Sequence, residues 1–258
     1  MHRSTREIRL AEALVESADT LVEEFEAAHH LSRVADHCVR LLPARAAGIM
    51  LIDDGRAVTL AAGGADRETV LELLGAQHGG GPCPDCYGSG RPVPPVSIGA
   101  ARAAGRWPDF TERALAHGVS VTYAVPLRRR QRVLGALNVF GPAVPGGSPP
   151  EDGTTLRLAQ LIADCAALGL ENNSTYTQCR TLAGQLQQAL SSRVRIEQAK
   201  GMLAERWNTG ADDAFVALRQ YARRHRLSLD RVARAVIDRV ADDAELRRAA
   251  GRGDEGRP

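Results

Sequence analysis

Lysine is almost missing from this sequence of 258 residues: Lys200 is the only one, and every other permanent side-chain cation is an arginine. A chain that otherwise uses arginine places one compact, strongly hydrated ammonium beside Gly201, where another backbone could approach closely. The position is therefore either a functional choice or a chance event on a solvated helix face.

Long apolar runs are also missing. No run approaches the roughly 18–20 residues that a membrane span needs, and the first sixteen residues, MHRSTREIRLAEALVE, are too charged for a signal peptide. The five cysteines are an odd number that does not fit a secreted disulfide framework. We therefore expect a cytoplasmic protein that does not contact the membrane.

Catalytic signatures are missing as well. The sequence has no GxSxG, no P-loop, no paired histidines at metal-ligand spacing and no paired carboxylates at catalytic spacing. We expect no catalytic residue, no bound metal and no enzyme activity, and the sequence assigns no cofactor. His29 and His30 lie at a helix junction, where we expect both to be exposed.

Positive charge is concentrated in the last third of the chain. Residues 180–240 hold twelve Lys and Arg against six Asp and Glu, a local charge of +6, whereas the whole chain carries +2. Such an asymmetry indicates a polyanionic partner for one end of the protein.

Apolar residues at helical spacing predict three short helices in this basic region. They cover Ser192–Trp207, Asp212–His225 and Ser228–Val240. Their apolar faces are small and rich in alanine, so the helices can pack closely and leave the arginines outside.

The same region resembles an ANTAR domain, a three-helix RNA-binding module of bacterial transcription antiterminators. The resemblance rests on residues 196–203 (IEQAKGML), on Ala214-Phe215 with Leu218-Arg219, and on residues 229–233. It implies a dimer in which each protomer binds one hairpin loop of a nascent transcript, so that a terminator does not form.

The ANTAR match at Lys200 and Gly201 makes these two residues the first candidates for RNA contact. Arg193, Arg219 and Arg223 come next, and helical spacing places the last two on one face of their helix. Tyr221 either stacks on an RNA base or is an exposed aromatic that supports the bundle.

The first part of the chain predicts an α+β domain. Runs at 47–52 and 57–61, joined by Asp53-Asp54-Gly55, predict one hairpin, and runs at 120–127 and 132–140 predict another. Helical patterns precede and follow these hairpins, which favours an antiparallel sheet flanked by helices. The Gly- and Pro-rich stretch from His78 to Pro95 has no period and predicts a long loop.

Residues 20–170 resemble a GAF domain of the type that actinobacterial proteins place before an ANTAR domain. This resemblance implies a sensor with a pocket for an unidentified small molecule. The Asn-Lys…Asp-Glu signature of cyclic-nucleotide GAF domains is absent, which argues against that ligand class. The matching segments are 81–83 (GPC), 90–93 (GRPV), 106–110 (RWPDF), 117–119 (HGV), 124–127 (AVPL) and 134–137 (LGAL).

Cys83 and Cys86 form a CxxC pair and are the candidate sensor residues. The spacing suits structural cysteines, a redox pair or half of a metal site. Some GAF-fold proteins reduce free methionine sulfoxide with a cysteine pair, so an enzyme is one alternative to an RNA-binding regulator. A DNA-binding regulator is the other, because three small helices can resemble a helix-turn-helix.

Residues 156–196 follow one heptad register and predict a helix that holds a homodimer together. A single Asn at position 172 would fix the register of such a coiled coil. The alternative is that residues 158–168 pack on the GAF sheet as its closing helix. Cys165 and Cys179 are either able to crosslink two copies or are small apolar fillers. The a and d positions are Leu158, Leu161, Cys165, Leu168, Asn172, Thr175, Cys179, Leu182, Leu186, Ala189, Arg193 and Ile196.

The sequence thus predicts an α+β GAF-like sensor over residues 1–155, including an N-terminal helix, and a linker helix or coiled coil over 156–190. An all-α three-helix ANTAR domain follows over 191–241, and a disordered tail over 242–258. The expected protein is a signal-responsive, RNA-binding antiterminator.

Overall fold

In the computed structural model, five strands form one antiparallel sheet in the first part of the chain. Both predicted hairpins are confirmed, because β1 pairs with β2 and β4 pairs with β5. The strands lie in the order β2-β1-β5-β4-β3. They are β1 (Ala46–Asp53), β2 (Arg56–Gly63), β3 (Val93–Ser97), β4 (Val121–Arg129) and β5 (Arg132–Gly141).

The structure describes residues 2–21, 24–53, 56–141 and 153–251. The predicted turn residues Asp54 and Gly55 therefore lie outside the described residues. By its contacts the chain divides into two units, Met1–Thr177 and Gln178–Pro258.

Helices cover both faces of the sheet, because successive residues of a strand point to opposite sides. Leu137 and Val139 of β5 face one buried cluster, whereas Ala136 and Phe140 face the other. The first cluster involves α1 (His2–Ala18), α2 (Ala27–Leu41) and the start of α7 (Gly153–Trp207). The second involves α3 (Arg67–Gly75), α4 (Pro82–Ser89), α5 (Ile98–Ala103) and α6 (Pro108–Ala116). The predicted α+β class is confirmed.

The long loop predicted for His78–Pro95 is wrong, because this stretch contains α4 and the start of β3. Proline is tolerated in the first turn of a helix, where Pro82 lies. Gly90 ends the helix in the left-handed conformation with φ 63°. Here proline and glycine mark the two ends of a short helix.

The start of α7 closes the sensor, as the alternative for residues 158–168 anticipated. Five small or branched residues of this stretch are fully buried in the first cluster, and none of them belongs to the predicted a and d series. Leu161, which does belong to that series, is 47% exposed. The sheet therefore buries mainly residues outside the heptad seam, although Leu158 of that series also packs against the cluster. The buried residues are Ala159, Ile162, Ala163, Ala166 and Ala167.

The second unit is helical. The last turns of α7 pack with α8 (Ala211–Arg224), α9 (Leu229–Ile237) and α10 (Asp243–Gly251). The second and third predicted ANTAR helices are confirmed as α8 and α9, with ends that differ by one to three residues, whereas the first, Ser192–Trp207, is the last part of the continuous helix α7. Their shared core is small and alanine-rich, as the pattern predicted, and includes Ala199, Leu203, Leu218 and Val232.

The disordered tail predicted for residues 242–258 is wrong for residues 243–251, which form α10. Asp242 caps this helix by accepting hydrogen bonds from the N–H groups of Ala244 and Glu245. Leu246 is fully buried in the core of the unit. Asp243 pairs with Arg206, and Glu245 lies 3.3 Å from His225, so polar contacts with the bundle add to this anchor. Residues 252–258 lie outside the described residues.

Among the described residues, no helix combines the length and the apolar character that a membrane span requires.

Candidate functional site

Lys200 lies on the exposed side of α7, one residue after the fully buried Ala199. Its side chain is 22% exposed, and its Nζ atom lies 2.5 Å from Oε2 of Glu197. The packing of Ala199 and Leu203 fixes the rotation of the helix about its axis, and this rotation places the ammonium at the edge of the bundle. The only lysine is therefore half-buried at the edge of the bundle, where its ammonium is paired with a carboxylate.

Gly201 is exposed next to Lys200, in the interior of α7. A Cβ atom added at this position would meet nothing within 4 Å. Glycine inside a helix costs about 1 kcal/mol relative to alanine, and no packing within the unit requires it here. The open surface at Gly201 can admit the backbone of a partner.

Arg193, Arg219 and Arg223 are all exposed. Arg219 and Arg223 follow the buried Leu218 and Ala222 by one residue each, so both project away from the core on one face of α8. No hydrogen bond or ion pair within the described residues involves these three guanidinium groups, which leaves them free to contact phosphates.

Tyr221 lies in a different environment from the arginines on its helix. Its ring packs against the ring of His225 with centroids 4.2 Å apart. Partial burial raises the pKa of the Tyr221 phenol, and the carboxylates of Glu245 and Asp242 raise it further. The ring therefore faces the start of α10, an arrangement that favours the supporting role over base stacking.

Sequence reasoning did not single out Arg231 and Arg234, which are exposed on α9. The local excess of positive charge was the only signal for them. Arg195 is paired within the unit, because its Nε atom donates a hydrogen bond to Oδ1 of Asp230 over 2.7 Å. This pair joins α7 to the start of α9.

Cys83 and Cys86 both lie on the inner side of α4 and are fully buried in the second sensor cluster. Burial raises the pKa of Cys86 to about 12, and it raises the pKa of Cys83 well above its usual range. Buried, protonated thiols are weak nucleophiles and weak metal ligands. No group of three potential metal ligands occurs among the described residues. This environment favours the structural interpretation of the pair.

A cavity of about 510 Å³ lies beside α4, near the end of the β1–β2 hairpin where the two strands are connected. Its wall includes Met50 and Ile52 of β1, Arg56 of β2, and Tyr87 of α4. The size falls within the range of roughly 300–1,000 Å³ that is common for sites of small molecules. The sensor unit thus contains a concave site close to the predicted cysteines but not formed by them.

Two family models match the chain. The model of the GAF domain matches residues 29–171, which is more than half of the chain, and that of the ANTAR domain matches residues 184–237. The chain belongs to the GAF domain family and carries a C-terminal ANTAR domain. It is therefore a regulator of the GAF–ANTAR type. α10 lies beyond the ANTAR match and is an addition to the three-helix module.

The chain is also similar to solved structures of other bacterial proteins. The domain of a sensor histidine kinase from Sinorhizobium meliloti is 17% identical, with a TM-score of 0.46 over 61% of this chain and 99% of that chain. Free methionine-R-sulfoxide reductase from Neisseria meningitidis is 17% identical, with a TM-score of 0.41 over 63% and 91%. The GAF domain of a sensor histidine kinase from Pseudomonas syringae is 15% identical, with a TM-score of 0.42 over 71% and 97%. No curated protein matches the chain significantly.

The GAF–ANTAR assignment separates the predicted site residues into two groups. The RNA candidates all lie in the ANTAR unit, on α7 and α8, whereas Cys83 and Cys86 lie in the GAF core.

Proposed function

We propose that this GAF–ANTAR protein is a signal-responsive transcription antiterminator. Its ANTAR domain binds hairpin loops of nascent RNA and prevents a terminator from forming, and its GAF domain senses a small molecule. The observation that carries the proposal is the ANTAR match on a helical unit whose exposed side is basic.

RNA contact begins at Lys200 and Gly201. Positive side chains that neutralise phosphates release counterions, which makes binding strongly dependent on salt. Arg193, Arg219 and Arg223 supply further exposed charge. Proteins that read RNA by sequence mostly contact unpaired loop bases, because the major groove of an RNA helix is too narrow to enter. A hairpin loop therefore suits this surface better than a regular duplex.

The active form is a homodimer joined by the middle of α7. Leu182, Leu186 and Leu190 are 57%, 58% and 65% exposed, and they recur at intervals of four residues along one side of the helix. A row of exposed leucines is uncommon on a monomer and marks an interaction surface. A second copy that contributes the same row would bury both, and each protomer would then bind one loop.

A cysteine-dependent reductase is a weaker alternative. Such an enzyme needs an accessible thiolate, whereas Cys83 and Cys86 are fully buried and their pKa values are raised by burial. The protein is a regulator and not an enzyme.

Filter binding of hairpin RNA and of duplex DNA of the same sequence tests the proposal, after crosslinking and sequencing of bound transcripts has identified the hairpin. We expect RNA to bind preferentially. Lys200→Ala should weaken binding and lower the salt slope by about one unit, whereas Lys200→Arg should retain the slope. Arg102→Ala, on an exposed position of α5 in the GAF unit, is the control. Equal binding of the duplex, or an unchanged slope in Lys200→Ala, would contradict the assignment.

A further inference from the structure

The cavity beside α4 has an apolar floor and polar groups at its rim. Met50 and Ile52 of β1 are 2% and 7% exposed and form the floor. Arg56, His78 and Tyr87 surround it. Within the described residues, no protein hydrogen bond or ion pair involves these three side chains, so their donor groups are available to a ligand.

Acidic side chains near the cavity do not line it. Asp85 of α4 accepts hydrogen bonds from Arg106 over 3.0 Å and from the Trp107 indole over 3.1 Å. Asp53 is opposite Arg56 across the β1–β2 hairpin, and it is not part of the wall. Within the described residues, the charge that the cavity offers is thus the guanidinium of Arg56. Arg56 is exposed at the rim, so an anionic group at the mouth of the cavity would gain an ion pair that a neutral or cationic ligand would not.

Gln77 connects the cavity to α4. Its side chain lines the cavity, is fully buried, and accepts a hydrogen bond from the backbone N–H of Cys83 over 2.8 Å. Its amide nitrogen makes only a long contact of 3.5 Å with the carbonyl of Leu73. An acceptor atom of a ligand in the cavity can therefore take a hydrogen bond from this amide nitrogen. Because the amide oxygen of the same Gln77 side chain binds the Cys83 N–H, such a ligand would act on the start of α4.

Glycines border α4 at both ends. Gly80 has φ 127°, and Gly90 has φ 63°, both in the region that favours glycine. Gly81 lies against Gln77, because an added Cβ atom would come within 2.5 Å of its side chain. Under the helix, the buried side chain of Asn138 lies on the same sheet face as Met50, and its Oδ1 atom accepts a hydrogen bond from the Thr122 hydroxyl over 2.6 Å.

We propose that this cavity binds a small organic anion that carries a carboxylate on an apolar body. The carboxylate pairs with Arg56 and takes further hydrogen bonds from His78 and Tyr87, while the apolar body covers Met50 and Ile52. The inference rests on the proposed function of the GAF domain as a small-molecule sensor, and it names the ligand class. Occupancy acts on α4 through Gln77.

Thermal unfolding of the full chain with two matched probe pairs tests the ligand class. Sodium benzoate and sodium phenylacetate should raise the Tm, because a ligand that binds only the folded state stabilises it. Benzamide and phenylacetamide, which have the same shape without the charge, should raise it less. Arg56→Gln should remove the difference between acids and amides, and Arg102→Gln, an exposed arginine outside the cavity, should retain it.

Two results would overturn the inference: amides that stabilise the wild type as much as the acids do, or acids that still stabilise Arg56→Gln preferentially. Circular dichroism of each variant establishes that the fold is intact. Hairpin RNA binding, measured without probes, separates this inference from the proposed function. If the wild type does not bind hairpin RNA, then the proposed antiterminator function is refuted. The difference in Tm between acids and amides would still decide the ligand class.

Discussion

Nζ of Lys200 lies 2.5 Å from Oε2 of Glu197, one helical turn earlier on α7. Exposed ion pairs contribute little to stability, and Glu197 is 56% exposed. The carboxylate instead competes with RNA phosphates for the ammonium. Glu197→Gln should therefore raise the affinity for hairpin RNA several-fold at low salt, and less at high salt because charges are screened.

Asp243→Asn is the matched control for this prediction. It breaks a pair of similar length, 2.6 Å to Arg206, in the same unit, and it changes the net charge equally. If both variants raise RNA affinity by the same factor in filter binding, then the effect comes from total charge and Lys200 has no special role.

Gly201→Ala should stabilise the protein and weaken RNA binding at the same time. An added Cβ meets nothing within 4 Å at either Gly201 or Gly184, and both glycines are exposed inside α7. Each alanine should add about 0.5–1 kcal/mol of helix stability. Only Gly201→Ala should lower RNA affinity, if a backbone approaches at that position. Urea unfolding and filter binding on both variants measure the two effects, and equal RNA affinities would show that the open surface is not used.

The two hairpins and the ANTAR helices could be predicted because each combines a local apolar period with clear end signals. α4 could not, since its signals are Pro82 and Gly90, which sequence reasoning assigned to a loop, and its anchor is the burial of Cys83 and Cys86 by a sheet formed elsewhere in the chain. The exposed state predicted for His30 was wrong for a related reason. It is 6% exposed, because α1 and α7 cover it only once the sensor has folded.

In the candidate site, too, some features could be predicted from the sequence and others depend on tertiary packing. A family motif was enough to select Lys200, but the motif does not show that Glu197 holds it or that Tyr221 faces α10. The cavity could not be predicted at all, since it joins β1, β2, the turn at Gln77 and α4, which are distant in sequence.

Leu186→Glu should convert the dimer into a monomer, because two glutamates would face each other in the proposed seam. Leu186 is 58% exposed, so the change should leave the fold intact. Leu71→Glu, at a leucine of α3 that is 40% exposed, should remain dimeric. Sedimentation velocity of both variants over a range of concentrations decides between this seam and an interface elsewhere. A Leu186→Glu protein that still forms a tight dimer would move the interface away from the middle of α7.

Cys179 should form a disulfide with its copy in a parallel dimer. It is exposed on α7 and lies at an a position, where identical residues face each other across the axis. Diamide, which takes up the two hydrogens as the thiols join, should give a covalent dimer on a non-reducing gel. Cys179→Ser should lose this product, whereas Cys165→Ser should retain most of it, because burial raises the pKa of Cys165 and lowers its reactivity. A crosslink of undiminished yield in Cys179→Ser would show that Cys179 does not face its copy and would contradict this prediction.

His30 should make the sensor less stable as the pH falls. It is 6% exposed and lies in the buried part of the sensor. Burial lowers the pKa of His30 below its ordinary value of 6.5, and the charges of Arg33, His29 and His37 lower it further, while a hydrogen bond to the Ser17 backbone opposes them. The unfolded chain therefore binds a proton at a higher pH than the folded chain does.

The sign of the effect follows from this difference in proton binding. Stability is complete above pH 6.5 and declines as the pH falls through 6.5 toward the lower folded pKa, because the unfolded state gains the proton first. His30→Gln should reduce the loss of Tm between pH 7.5 and 5.5. His29→Gln, at the exposed neighbour, removes only one of the weaker effects on His30 and should change the loss much less. His37, whose pKa burial also lowers, should account for part of the loss that remains in His30→Gln. If His30→Gln and the wild type lose the same stability on acidification, then protonation of His30 does not contribute to the loss. That result would refute the prediction.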